Sequence, residues 1–309
     1  MRKWRLTLVK KDGSRVEVSR SELIMLLEGI TKNKLALMDV LIKKPYSIPK
    51  FVKIVLGTIK GNALEKRLEF IKEFYQKTGI NFGYVDHMEF QSSDGFKYKI
   101  AIYNDDFFAN FSHLVELYLI VVENRYDVGD VKGKVVIDGG ANVGMFSLFC
   151  ARKGARVYAF EPVSTTYENL LENIRLNRLE KRIYPIKKAL GRDKGKAYIE
   201  YNESIDTCAS FVQKSELNDK KELVLITSLD RVVEDLGVSV DFIKLDIEGF
   251  EKEALIGAAK TMKKYKPVLS ICAYHKEEDP VVLPQTVKRI NPDYSCEIVY
   301  RGEKHLYCK

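Results

Sequence analysis

No C-x-x-C pair occurs among the five cysteines (Cys150, Cys208, Cys272, Cys296, Cys308), and the chain of 309 residues has only four histidines. That scarcity argues against a structural zinc site and gives no disulfide framework. Cys150 and Cys272 stand in apolar runs and read as small core residues. Long hydrophobic stretches are also missing. Runs such as LYLIVV at 117–122 fall far short of the roughly 20 residues that a spanning helix needs. The basic start MRKWRLTLVKK is followed by no apolar signal core. These absences lead to the expectation of a cytoplasmic protein without a transmembrane segment, free or peripheral to a membrane.

Charge is present but unevenly placed. Residues 1–80 carry 18 Lys and Arg against 8 Asp and Glu, whereas residues 81–309 carry 33 against 35. The basic excess therefore lies in the first quarter, which suits either a solvated lysine-rich surface or an anionic partner such as a membrane surface or RNA. Residues 1–20 alternate apolar and polar side chains around Lys11-Asp12-Gly13-Ser14 and predict a hairpin. Helical spacing is predicted over 21–43 and 50–78, with breaks at Pro45 and Pro49. Strands are predicted over 84–104 around Ser92-Ser93-Asp94-Gly95, and a helix over 107–122. Those two segments were natural candidates for a wall or lid of an acceptor site. The division expected is a basic accessory region, mainly helical, at 1–80 and a larger α/β domain at 81–309.

From Lys134 onward strand and helix patterns alternate. The strands are VVIDG, RVYAFEP, RIYPIKKAL, FIKLDIEG and PVLSICAY, followed by two further β-like stretches, SCEIVY and KHLYCK. Alternation of this kind predicts a parallel sheet covered by helices on both faces, with a closing hairpin as antiparallel edge.

The stretch KVVIDGGANVGMFSLFCARKGARVYAFEP carries the chemistry. Gly139, Gly140 and Gly144 allow a tight turn at a helix start. A dinucleotide fingerprint beginning at Gly140 would need glycine at 142 and 145, where Asn142 and Met145 stand, and no Gly-Lys-Ser/Thr follows for a P-loop. Asp138 at the strand end would repel a pyrophosphate. S-adenosyl-L-methionine has no phosphate, and its ammonium and sulfonium favour nearby negative charge. Glu161, 23 residues further on, ends the next strand and can accept both ribose hydroxyls of an adenosine. Downstream, Asp246 and Glu248 lie at the end of the strand in DFIKLDIEGFEKEALIGA, and His275 ends PVLSICAYH. Two carboxylates and an imidazole are thus expected at one sheet edge beside the cofactor.

At these residues the sequence resembles the FkbM-type methyltransferases. The resemblance runs through VVIDGGANVGMFS, AFEP, KKALG (187–191), TSLDRVV (227–233), FIKLDIEGFEKEALIGA and VLSICAYH, over roughly residues 134–275. It implies the Rossmann-like class I methyltransferase fold, with a seven-stranded, mostly parallel sheet, and dependence on S-adenosyl-L-methionine. It implies that Asp138, Gly140, Asn142 and Gly144 shape the methionine end of the cofactor site and that Glu161 holds the ribose. It further implies that Ala189 and Leu190 lie near the adenine and that Asp246 and Glu248 face the acceptor. Members of the family chiefly methylate hydroxyls, so a small-molecule, sugar or glycan acceptor is expected.

A hydroxyl is a poor nucleophile while protonated, so Glu248 or Asp246 is the expected base, with His275 as alternative base or orienting partner. No resident metal is assigned, although the same three side chains could hold a divalent cation. Glu248 could instead serve the following helix dipole, Asp246 a cofactor ammonium, and His275 a backbone group. His87, His113 and His305 are expected in structural or surface roles. Tyr126 suits either cofactor lining or packing. Two other functions compete. One is an RNA methyltransferase using the basic region, and the other a non-catalytic scaffold that binds cofactor without turnover. Asn291-Pro292-Asp293-Tyr294 resembles an amino-methyltransferase motif only superficially and lies too far downstream.

Overall fold

The computed structural model describes residues 5–18, 85–92, 95–102, 113, 116–117, 119–121, 123–201, 220–300 and 303–309. The helices predicted over 21–43 and 50–78 lie outside the described residues, as does most of the one over 107–122. Two compact units divide the chain, Met1–Val115 with Ser215–Asn218, and Glu116–Lys214 with Asp219–Lys309.

The first unit contains an antiparallel sheet of order β2-β1-β3-β4, formed by β1 (Arg5–Lys10), β2 (Arg15–Val18), β3 (Val85–Gln91) and β4 (Lys97–Ala101). The hairpin predicted around Gly13 is present, with Gly13 at φ +84° and its amide donating to the Lys10 carbonyl at 2.9 Å. Register aligns buried side chains across the strands. Leu6 faces Val18 and Phe90, and Phe90 faces Tyr98. The boundary expected at residue 80 therefore falls inside this unit. A two-stranded hairpin buries too little to stand alone. The apolar row of β1 is completed by β3, more than 70 residues away in sequence.

The second unit is built on a seven-stranded sheet of order β13-β14-β12-β11-β5-β6-β7. Its parallel strands are β5 (Val135–Gly139), β6 (Arg156–Phe160), β7 (Ile183–Ile186), β11 (Phe242–Leu245) and β12 (Val268–Cys272). β5, β6, β11 and β12 are short, mainly apolar runs buried on both faces, as a sheet covered by helices requires, while the edge strand β7 leaves Tyr184 exposed. Helix α1 (Met145–Arg152) connects β5 to β6, and α2 (Ser164–Asn177) connects β6 to β7. On the other side, α3 (Leu229–Leu236) precedes β11, while α4 (Glu251–Ile256) and α5 (Ala259–Tyr265) link β11 to β12. Ser228 caps α3 and Gly237 ends it in the left-handed region, which explains that helix's sharp limits. After α6 (Asp279–Ile290) the chain closes with β13 (Cys296–Tyr300) and β14 (Lys304–Cys308), an antiparallel hairpin beside β12. This is the class I methyltransferase arrangement. A smaller sheet, β8-β10-β9, comprises β8 (Ala189–Leu190), β9 (Gly195–Tyr201) and β10 (Lys220–Thr227).

One expectation is corrected at the closing hairpin. Cys296 and Cys308 stand directly opposite each other in the ladder and are joined by a disulfide. Their pairing follows from strand register, which spacing alone did not reveal. Cys150 and Cys272 are buried free thiols, as expected. No helix among the described residues is long and apolar enough to cross a membrane.

Candidate active site

Strand order reverses between β5 and β11. The chain proceeds to β6 and β7 on one side and to β12 on the other, and ligands bind such sheets at the carboxyl ends flanking this reversal. Two turns meet there. After β5 the turn holds Gly140 at φ +72°, Asn142 at +51° and Gly144 at +93°, the last capping α1. After β11 the turn Asp246-Ile247-Glu248-Gly249 has Glu248 at +55° and Gly249 at +92°. The Asp246 amide donates to the Gly139 carbonyl at 3.1 Å. A Cβ on Gly140 would stand 1.9 Å from the Asp246 carbonyl oxygen, so glycine there is demanded by the close approach of the two turns.

Asp138 is bonded within the fold. Its carboxylate is fully buried and already satisfied, accepting from Ser147 Oγ at 2.6 Å and from Lys244 Nζ at 3.0 Å. Lys244, on the neighbouring strand, also donates to the carbonyls of Gly139 at 3.2 Å and Gly140 at 2.6 Å. The acid at the end of β5 thus shapes the glycine turn through a buried lysine. Burial alone would lower the Lys244 pKa, but Asp138 and Asp246 outweigh it and hold it raised.

Glu161 follows β6 and is buried. Its carboxylate accepts from the Asn142 amide at 3.0 Å and the Val163 amide at 3.0 Å. Burial is the stronger influence and lifts its pKa to about 7 despite those amides. Asn142 Oδ1 accepts from the Val143 amide at 2.6 Å. Ala189 and Leu190 form β8 and are buried in apolar clusters, with Leu190 packed toward Gly139.

Asp246, Glu248 and His275 do come together, because β11 and β12 are adjacent and both turn at this edge. His275 Nε2 lies 3.4 Å from Asp246 Oδ1 and 3.5 Å from Glu248 Oε2. On the ring's other side, Nδ1 lies 2.9 Å from Glu251 Oε1. Neither nitrogen has a partner in hydrogen-bond geometry. Burial would lower the His275 pKa, but Glu251, Glu248 and Asp246 raise it to about 10. The raised pKa favours the imidazolium at neutral pH.

Asp246 is held ionised. Tyr126 donates to its Oδ2 at 2.8 Å and Tyr274 to its Oδ1 at 3.3 Å. Burial acts to raise its pKa, but Lys244, His275 and Arg125, with the Tyr126 hydroxyl, bring it well below the usual carboxylate range. Tyr126 is thus a buried positioning residue, packed edge-on against Phe146 and His305. Glu248 is the more exposed of the two carboxylates on His275 Nε2, at 30% against 18%.

Lys244, Glu251 and Tyr274 escaped sequence reasoning. A lysine inside the apolar run FIKL was the available signal, since a strand buried on both faces cannot hold an unpaired ammonium. His87 bridges Asp86 and Glu89 in the first unit, while His113 and His305 are buried.

Residues 138–290 match the model of the methyltransferase FkbM domain. The chain contains an FkbM methyltransferase domain. Over 94 residues it is 42% identical to protein arginine N-methyltransferase 6 of Danio rerio, a match covering 28% of this chain and 25% of the relative. Over 132 residues it is 26% identical to methyltransferase sdnD of Sordaria araneosa, covering 42% and 50%. The chain thus spans a quarter and a half of the length of these curated relatives. A solved FkbM methyltransferase from Methylobacillus flagellatus is similar at 20% identity and TM-score 0.45, covering 66% of this chain and 55% of that one. Every site residue named above from Asp138 to His275 lies within the matched FkbM segment.

Proposed function

We propose that the FkbM domain transfers a methyl group from S-adenosyl-L-methionine to a hydroxyl of a sugar, glycan or glycosylated small molecule. The observation that carries this reading is the meeting of two kinds of carboxylate at one strand-end edge. Glu161 is anchored by amides beside the glycine turn, and Glu248 stands beside an imidazolium at the next strand end.

The residues fit the cofactor chemically. An ionised Glu161 is acceptor-only and suits the paired donor hydroxyls of a ribose. Gly140, Asn142 and Gly144, all in the left-handed region, make the turn from which α1 starts, and a helix start favours a carboxylate. When bound, S-adenosyl-L-methionine supplies an electrophilic methyl group on sulfonium.

Glu248 takes the acceptor's hydroxyl proton. Asp246 is too strongly stabilised as an anion by Tyr126, Tyr274 and Lys244 to be an effective base. His275, charged between three carboxylates, fixes their placement. Asp246 and the turn after β11 position the acceptor, and orientation supplies much of the acceleration.

Calorimetric titration with S-adenosyl-L-methionine, comparing the protein with Glu161→Ala, tests the cofactor assignment. The expected result is binding that the substitution abolishes. Transfer of labelled methyl to sugars, glycans, RNA and protein then tests the acceptor class. Label entering RNA or protein but no hydroxylated small molecule would replace this reading.

A further inference from the structure

The Asp246–Glu248–His275 cluster has features that a base and its orienting partners do not require. The His275 side chain is 93% buried, yet Nε2 points at two carboxylates without meeting hydrogen-bond geometry with either. Nearby cations are committed elsewhere. Lys244 is tied to Asp138 and two carbonyls, and Arg125 to Glu116 and Glu303. The His275 ring lies against all three carboxylates, Asp246, Glu248 and Glu251.

The spacing suits a metal ion. Donor atoms held at roughly 2.1 Å from a divalent ion stand about 3.0 Å apart at right angles and about 3.4 Å apart at tetrahedral angles. Here Nε2 lies 3.4 and 3.5 Å from the two carboxylate oxygens, and all three donors fall within 4.8 Å of one another. The supporting residues fit as well. A metal-binding imidazole presents its other nitrogen to a carboxylate, and Glu251 Oε1 stands 2.9 Å from Nδ1. Tyr126 and Tyr274 orient Asp246 while leaving it lone pairs to donate.

We infer that Asp246, Glu248 and His275 Nε2 form a binding site for one divalent cation of the magnesium or manganese kind, which binds with release of the Nε2 proton to solvent. Two carboxylate oxygens and one imidazole favour these ions over soft metals. With three protein ligands the ion keeps open positions for an acceptor hydroxyl and water. It would lower the pKa of that hydroxyl, whose proton passes to the non-ligating oxygen of Glu248. The oxygen then forms its bond to the methyl carbon as the carbon–sulfur bond breaks and its electron pair stays on sulfur. What the ion does rests on the methyl-transfer reading, but whether it binds does not.

The test is Mn²⁺ titration of the full chain, followed by the loss of the free-ion paramagnetic resonance signal. The same samples are titrated with S-adenosyl-L-methionine, and melting curves establish that each variant is folded. The expected result is one Mn²⁺ per chain, with nitrogen modulation from one imidazole in the spin-echo spectrum. Binding should weaken at least tenfold in Glu248→Gln, and the nitrogen signal should vanish in His275→Gln. No Mn²⁺ binding, or equal affinity in wild type and Glu248→Gln, overturns the site. If cofactor binding persists in that case, the methyl-transfer reading survives it. Mn²⁺ binding without cofactor binding would leave the cation site standing and remove that reading instead.

Discussion

Two acids at neighbouring strand ends lead different lives. Asp138, after β5, is sealed from solvent and balanced by Lys244 and Ser147. Asp246, after β11, belongs to a group in which three carboxylates gather around one imidazole. A balanced buried pair fixes backbone and offers little to a ligand. An unbalanced group keeps affinity for a proton, a metal ion or a reacting hydroxyl. Position at a strand end was therefore no sufficient sign of function. The neighbours' charge decided it.

The comparison can be broken most severely at its balanced member. Lys244→Met should cost about 3–5 kcal/mol of folding stability in urea unfolding, because Asp138 remains buried without its partner. Asp138→Asn combined with Lys244→Met should recover part of that loss. At the unbalanced member, Glu248→Gln should lower methyl transfer on the order of 10²-fold. Its melting temperature should change little. Equal damage to folding from both substitutions would erase the distinction.

Two pH profiles sharpen it. The His275 pKa is raised in the fold to about 10 from an ordinary 6.5, so its stabilising contribution is complete below about pH 6.5 and is lost as pH rises through about 10. Thermal melting across that window should show the decline, and His275→Gln should flatten it. For Glu161, lifted to about 7, ionisation must precede full acceptance of the ribose hydroxyls. Cofactor affinity should therefore fall nearly tenfold per pH unit below 7 in calorimetry. Glu161→Gln should bind weakly at every pH. The smallest effect belongs to Tyr274→Phe, which removes one 3.3 Å hydrogen bond to Asp246 and should cost about 0.5–1.5 kcal/mol in unfolding.

Much of the second unit was legible because its strands are brief apolar runs ending in glycine or acid. VVIDG, RVYAF, FIKL and VLSIC each became a central strand, and SCEIVY with KHLYCK became the antiparallel edge. The meeting of Asp246, Glu248 and His275 was legible too, and it occurs at a left-handed turn after β11. The missing parts were long-range pairings. Lys244 lies 106 residues from Asp138, and the joined cysteines depend on register. Glu251, in the first turn of α4, meets His275, which follows another strand. The pairing of β1 with β3, across the division expected near residue 80, is another such long-range contact.

The flanking of β11 by β5 on one side and β12 on the other has a consequence for exchange with solvent. The backbone that carries Lys244 and leads into Asp246 has no free edge, and β12 is itself covered by β14. Amides of Ile243, Leu245, Leu269 and Ile271 should be among the last to take up deuterium, and only through opening of the whole unit. The chemistry is thus mounted on the least yielding strands of the domain, so ligand-induced adjustment there is confined to the turns after β5 and β11.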